Sequence, residues 1–250
     1  MVYWAGTGMR KQEARRLGAQ VRQALASGDT AGALALLFPI LDQRTPFPLL
    51  EEIGRHLALD SFSKTKRFLD RVAARKTEGG WVVIGAALRE HLNGHLEAVL
   101  EAARGYIVLA DVWYAPDILG ERVPGAALLK AFEPALEQLR PWRKDPNPWV
   151  RRAAGVAVHY WAKRTQGKAP QQATTLLEFL SPLFEERELG ALKGVGWGLK
   201  TLGRHYPQET VRWLNAQRGR RPRALMLRKA VTYLPEHLRE EVGRGFGASL

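Results

Sequence analysis

The chain has 250 residues, 46% of them hydrophobic, and its 38 Lys and Arg outweigh 25 Asp and Glu to give a formal net charge of +13 and a sequence pI near 10.3. That apolar content suffices for a continuous core, so a single domain over 1–250 is expected, with ends 1–8 and 243–250 frayed, and the charge implies a polyanionic partner. The lack of cysteine excludes disulfides, thiolate zinc sites, iron–sulfur clusters and cysteine nucleophiles, and the lack of an apolar leader or of any run near the ~18 apolar residues of a membrane span makes a cytoplasmic location the expectation.

Apolar residues recur at helical spacing from the start, first at Leu17, Val21, Ala24 and Leu25, then from Ala33 to Leu41. Between them Gly28 can end one helix and Asp29 or Thr30 can cap the next. Pro46 and Pro48 open a helix through Leu57, Asp60-Ser61 opens one through Ala74, and Gly79-Gly80 introduces the apolar run Trp81 to Leu88. Two further stretches are predicted around Leu92 to Ala103 and Tyr106 to Trp113. Later helices are predicted over Ala126–Leu139, Pro148–Lys163, Thr174–Leu183, Glu188–His205, Pro207–Asn215 and Arg223–Tyr233, with a loop over Arg164–Gln172. No period-2 segment bounded by hairpin dipeptides occurs, so the fold class is all-α. Many helices of this length joined by tight turns suit an α-solenoid of stacked helical pairs with one concave face. Trp81, Trp113 and Trp149, 32 and 36 residues apart, fit a helical-pair period.

Three segments combine buried-type residues with charge in a way that a plain core does not need. They are Trp113-Tyr-Ala-Pro-Asp117 with Gly125 eight residues on, Trp149-Val-Arg151-Arg152-Ala-Ala, and Lys193-Gly-Val-Gly196-Trp197-Gly-Leu-Lys200. In this order and spacing, over about 50–234, the chain resembles the bacterial alkylpurine DNA glycosylases of the AlkD type, which are built on HEAT-like repeats. The resemblance implies excision of cationic N3- or N7-alkylated purines from double-stranded DNA, with Trp113, Asp117, Arg152 and Trp197 at the active-site positions. It departs from the pattern in a longer loop after Arg164, in Lys200 where the family has Arg, and in Pro116 directly before Asp117, where a fixed φ bears on the aim of the carboxylate.

The side chains support such chemistry by themselves. A purine alkylated at N3 or N7 is already cationic and leaves without a general acid, so one carboxylate, Asp117, suffices to stabilise an oxocarbenium-like sugar and orient water. Trp113 and Trp197 offer ring faces to the cationic nucleotide, each contact worth about 0.5 to 2 kcal/mol. Arg152 suits a backbone phosphate through its planar fork. Further phosphate contacts are expected from Arg151, Lys193 and Lys200, and from Arg220, Arg221, Arg223 and Arg228 in a C-terminal basic run that also holds Lys229. A second cluster, Lys64, Lys66, Arg67, Arg71, Arg75 and Lys76, can share one helix side.

Other motifs are weaker. His91 and His95 have the i, i+4 spacing of a zinc pair, but Leu92 stands where a metalloprotease has Glu. Gly194-Val-Gly196 follows no strand, so no nucleotide cofactor is expected, and neither is a metal. The expected partner is duplex DNA carrying alkylated bases, bound by a monomer. Two alternatives stay open: a relative that binds damaged or branched DNA without excising a base, and a HEAT-type scaffold for another protein.

Overall fold

The computed structural model describes residues 9–247, and among these the regular structure is helical with no strand. No helix is long and apolar enough to cross a membrane among the described residues. Contacts group the chain into two units, one ending at Val123 and the other beginning at Pro124.

The first unit holds α1 (Lys11–Ala26), α2 (Thr30–Leu41), α3 (Phe47–His56), α4 (Phe62–Ala73), α5 (Glu78–Glu90), α6 (Leu92–Ala110) and α7 (Ala115–Gly120). As the spacing predicts, Gly28 takes a positive φ of 83°, and the Asp29 carboxylate accepts the Gly32 amide to cap α2. Every second helix packs on the next: α1 on α3, α3 on α5, α5 on α7, with α4 on α6 alongside. The centre is α5, buried without interruption from Gly79 to Leu88, as a helix apolar on all sides must be. Each large side chain there contributes about 1.5 to 3 kcal/mol through burial. Gly54 allows α3 to approach this closely, since a β-carbon there would lie 2.6 Å from the Val83 carbonyl oxygen.

The second unit holds α8 (Ala126–Lys130), α9 (Phe132–Leu139), α10 (Pro148–Thr165), α11 (Pro170–Leu180), α12 (Leu189–His205), α13 (Pro207–Ala216), α14 (Ala224–Val231) and α15 (Glu236–Phe246). It repeats the alternation, with α8, α10, α12 and α14 in one row and α11, α13 and α15 in the other. Trp161 stacks on Tyr206 with ring centroids 5.6 Å apart, and the tyrosine hydroxyl donates to Thr165 Oγ1 at 2.6 Å. That bond satisfies the polar end of a buried ring.

Several boundaries differ from the sequence expectation. The stretches predicted at Leu92–Ala103 and Tyr106–Trp113 are one helix, whose irregularity lies early, at His95 (φ −143°, ψ 41°). It ends at Ala110 because Asp111 turns left-handed (φ 47°), so Trp113 lies in a turn and not on a helix. The helix predicted over Ala126–Leu139 breaks at Ala131 (φ −147°, ψ 74°). The loop predicted over Arg164–Gln172 shrinks to residues 166–169, between the left-handed Gln166 and Pro170. Of the ends expected to fray, 1–8 and 248–250 lie outside the described residues, whereas 243–246 belong to α15, with Gly243 buried.

Candidate functional site

In the first unit, the chain leaves α6 through the left-handed Asp111 and enters α7 three residues after Val112. Pro116 sits in the first turn of α7, where a missing amide hydrogen costs nothing, so it starts the helix and does not distort it. Ala115, Pro116, Ile118 and Leu119 are buried and fasten α7 to the core. Asp117 is half-buried in the same first turn. Trp113, at 60% exposure, presents the most open large apolar side chain among the described residues, its ring edge-on to Tyr114 at 5.7 Å. Behind α7 the chain passes through a π-helical turn, Glu121–Gly125. Arg122 in that turn is buried, and its Nη1 donates to the Ile118 carbonyl at 3.1 Å while Nη2 pairs with Glu51 at 2.6 Å. This clamp holds the short helix that carries Asp117, and no sequence motif pointed to it.

In the second unit, α10 and α12 meet backbone to backbone. A β-carbon at Gly155 would collide with Val195, and one at Gly194 would lie 2.5 Å from the Arg152 carbonyl oxygen. This close approach sets Arg152 of α10 beside the start of α12, where its Nη1 donates to the Gly190 carbonyl at 3.0 Å, leaving only 7% of the residue exposed. Trp197 of α12 is half-buried and stacks on His159 of α10 with centroids 3.9 Å apart and planes 23° apart. The Thr201 hydroxyl donates to the Trp197 carbonyl at 3.0 Å and lies 2.7 Å from His159 Nδ1. With the hydroxyl hydrogen so directed, Nδ1 is the donor to Thr201 and the ring is fixed in plane. His159 was missing from the sequence reading because its partner is on another helix.

Around Trp197 lies a group of cations. The stem of Lys229 from α14 crosses Gly196, where a β-carbon would meet it. Burial, and then repulsion from Lys200, Arg152 and Lys193, hold the Lys229 ammonium below its ordinary value. The same face opens into a cavity of ≈ 290 Å³ lined by His159, Trp197, Tyr233 and the cations Lys163, Lys200 and Arg204. Lys200 Nζ and Arg204 Cζ lie 4.6 and 5.1 Å from the Tyr233 ring centre, so the ring faces both charges.

The remaining basic residues of the expected set are placed differently. Arg151 Nε pairs with Glu186 at 2.6 Å, both side chains largely buried, and its Nη1 donates to the Asp145 carbonyl at 2.7 Å. Burial alone would raise Glu186, but hydrogen bonds from Arg151 and nearby amides leave it below the usual carboxylate value. Arg220 pairs with Glu185 at 3.0 Å and donates to the Ser181 carbonyl, Arg221 gives its amide to Glu185, and Arg223 bonds the Arg187 carbonyl. Arg228 and Lys193 are exposed. His91, which shares only the i, i+4 spacing of a zinc pair with His95, faces Thr65 Oγ1 at 2.9 Å and packs with Phe62.

The family model described as DNA alkylation repair enzyme matches residues 55–234. No curated protein and no solved structure matches the chain.

Proposed function

This chain belongs to the family of DNA alkylation repair enzymes, and we propose that within it the protein is a DNA glycosylase that hydrolyses the N-glycosidic bond of cationic N3- or N7-alkylated purines in duplex DNA. Membership gives a role in the repair of alkylated DNA, with DNA as the partner. The observation that carries the finer reading is that a half-buried Asp117 and the exposed ring of Trp113 stand four residues apart at the start of α7.

As the bond between C1′ and the purine nitrogen breaks, its electron pair passes to the base and cancels the positive charge. Positive charge develops instead on the sugar. The Asp117 carboxylate stabilises that charge and orients the water that attacks C1′, accepting its proton. Trp113 lays an electron-rich face against the cationic nucleotide. Arg152, oriented by its bond to the Gly190 carbonyl, adds positive charge for a backbone phosphate. Trp197 has one indole face covered by His159, which leaves the other for the nucleotide backbone. The cations about it repel a cationic base and attract phosphate, so that pocket fits the backbone and not the lesion. An α-solenoid with a basic concave face, acting as a single domain and a monomer, completes the proposal.

The test is base release from a duplex carrying one N7-methylguanine. Asp117→Asn keeps DNA affinity and slows release about a hundredfold or more. Equal rates for variant and wild type overturn the role of Asp117. Tight duplex binding without release by the wild type means a non-catalytic DNA-binding relative, and no binding at all means a protein scaffold.

A further inference from the structure

The basic cluster on α4 divides in two. Lys66 pairs with Asp70 at 2.9 Å and Arg75 with Asp42 at 2.7 Å. Lys64, Arg67 and Arg71 are exposed and form no ion pair among the described residues. At spacings of three and four they stand in one line along the flank of α4, about 120° around the helix from the centre of its buried stripe of Thr65, Phe68, Leu69 and Val72. The acids beside the row and the groove are directed elsewhere: Asp60 pairs with Arg22, Asp70 also accepts the Tyr106 hydroxyl, and Asp29, between Gly28 and Thr30, caps α2. The three cations edge a groove of ≈ 500 Å³ closed on its other side by Gly28 and Thr30.

From Lys64 to Arg71 the helix rises about 10 Å, a length over which the axis of a duplex carries about six phosphate charges on its two strands. Small residues at Gly28 and Thr30 leave room for a backbone to enter, and no acid lines the groove. Within the first unit α4 belongs to the row with α6, whereas Asp117 is on α7, in the row with α5.

We propose that this ridge is a second DNA-binding site, one that holds the phosphate backbone of duplex DNA and takes no part in base excision. The proposal rests on the reading that the protein works on duplex DNA. The experiment measures affinity for an undamaged duplex against salt concentration, and separately the single-turnover release of N7-methylguanine at saturating protein. In K64A/R67A/R71A the slope of log affinity against log salt falls by about 2 to 3, and in Arg67→Ala by about 1. The control K130A/K144A/K168A, with the same change in net charge at exposed positions, leaves the slope within about half a unit. Saturated release by K64A/R67A/R71A equals that of the wild type. An unchanged slope in that variant, an equal fall in the control, or slower release at saturation overturns the proposal. If the wild type releases no base, the glycosylase reading fails, while the slopes still decide whether the ridge binds DNA.

Discussion

Arg151 and Arg152 are neighbours on α10, about 100° apart around the helix, and they face different elements. Arg151 reaches Glu186 in the loop after α11 and the Asp145 carbonyl just before α10, which together take up its guanidinium. Arg152 faces α12 and joins Lys193, Lys200 and Lys229 in a group whose charges press on one another. The contrast extends along both regions. Arg220, Arg221 and Arg223, which look like a phosphate patch in sequence, are tied by side chain or backbone to Glu185 and to Arg187. A formal charge of +13 therefore measures binding capacity poorly. Arg151 and Arg220, matched to carboxylates, tie loops, whereas Lys229, crowded by like charges, is a cation whose energy improves when a phosphate arrives.

The largest effect that would sharpen this contrast is on stability. Arg151→Ala leaves Glu186 buried without its main cation, and a loss of about 2 to 4 kcal/mol is expected. Thermal or urea unfolding measures it, while the salt slope of DNA binding stays as in the wild type. A fall of about one unit in that slope would move Arg151 to the DNA-binding side. The same pair has a pH signature. Since folding holds Glu186 below its ordinary 4.5, the stabilisation is complete above that value and disappears as pH falls through the folded one. Acid unfolding of Arg151→Ala should accordingly show a shallower loss of stability below about pH 4.5 than the wild type.

A smaller effect is expected at Arg152, and on binding. Arg152→Ala lowers the salt slope by about one unit and weakens duplex affinity. Arg152→Lys restores charge but not the fork that serves Gly190 and a phosphate together, so it recovers part of the affinity. Wild-type affinity and slope in Arg152→Ala would erase the difference between the two neighbours.

Much of this organisation was legible in the sequence where the signals are local. Gly28 and Asp29 fix the start of α2 because a positive φ and a side-chain acceptor act within four residues. The end of α6 was hidden because Asp111, not glycine, takes the left-handed position. The brevity of α7 hid it too, since six residues carry no period. Partners distant in sequence are what the pattern cannot supply: Glu186 lies 35 residues from Arg151, and Glu51 lies 71 from Arg122. Trp113, Asp117 and Trp197 stand out in the sequence through the order and spacing of their motifs. Which arginines are tied to carboxylates and carbonyls is set by contacts made only in the folded chain.

The smallest effect gives the finest discrimination, because stability and binding should move in opposite directions. Lys229 is pressed by burial and by three neighbouring cations, so its charge costs the folded state something when no DNA is bound. Lys229→Met keeps the apolar stem that crosses Gly196 and removes the charge. Stability should rise by a few tenths to about 1 kcal/mol, while the salt slope for duplex binding falls by about one unit. The gain should shrink as pH rises through the lowered Lys229 value toward the ordinary 10.5, because the folded wild-type lysine loses its proton there and the repulsion with it. A loss of stability in Lys229→Met would mean that the ammonium is a structural tie like Arg151, and the cation group would no longer differ in kind from the paired arginines beside it.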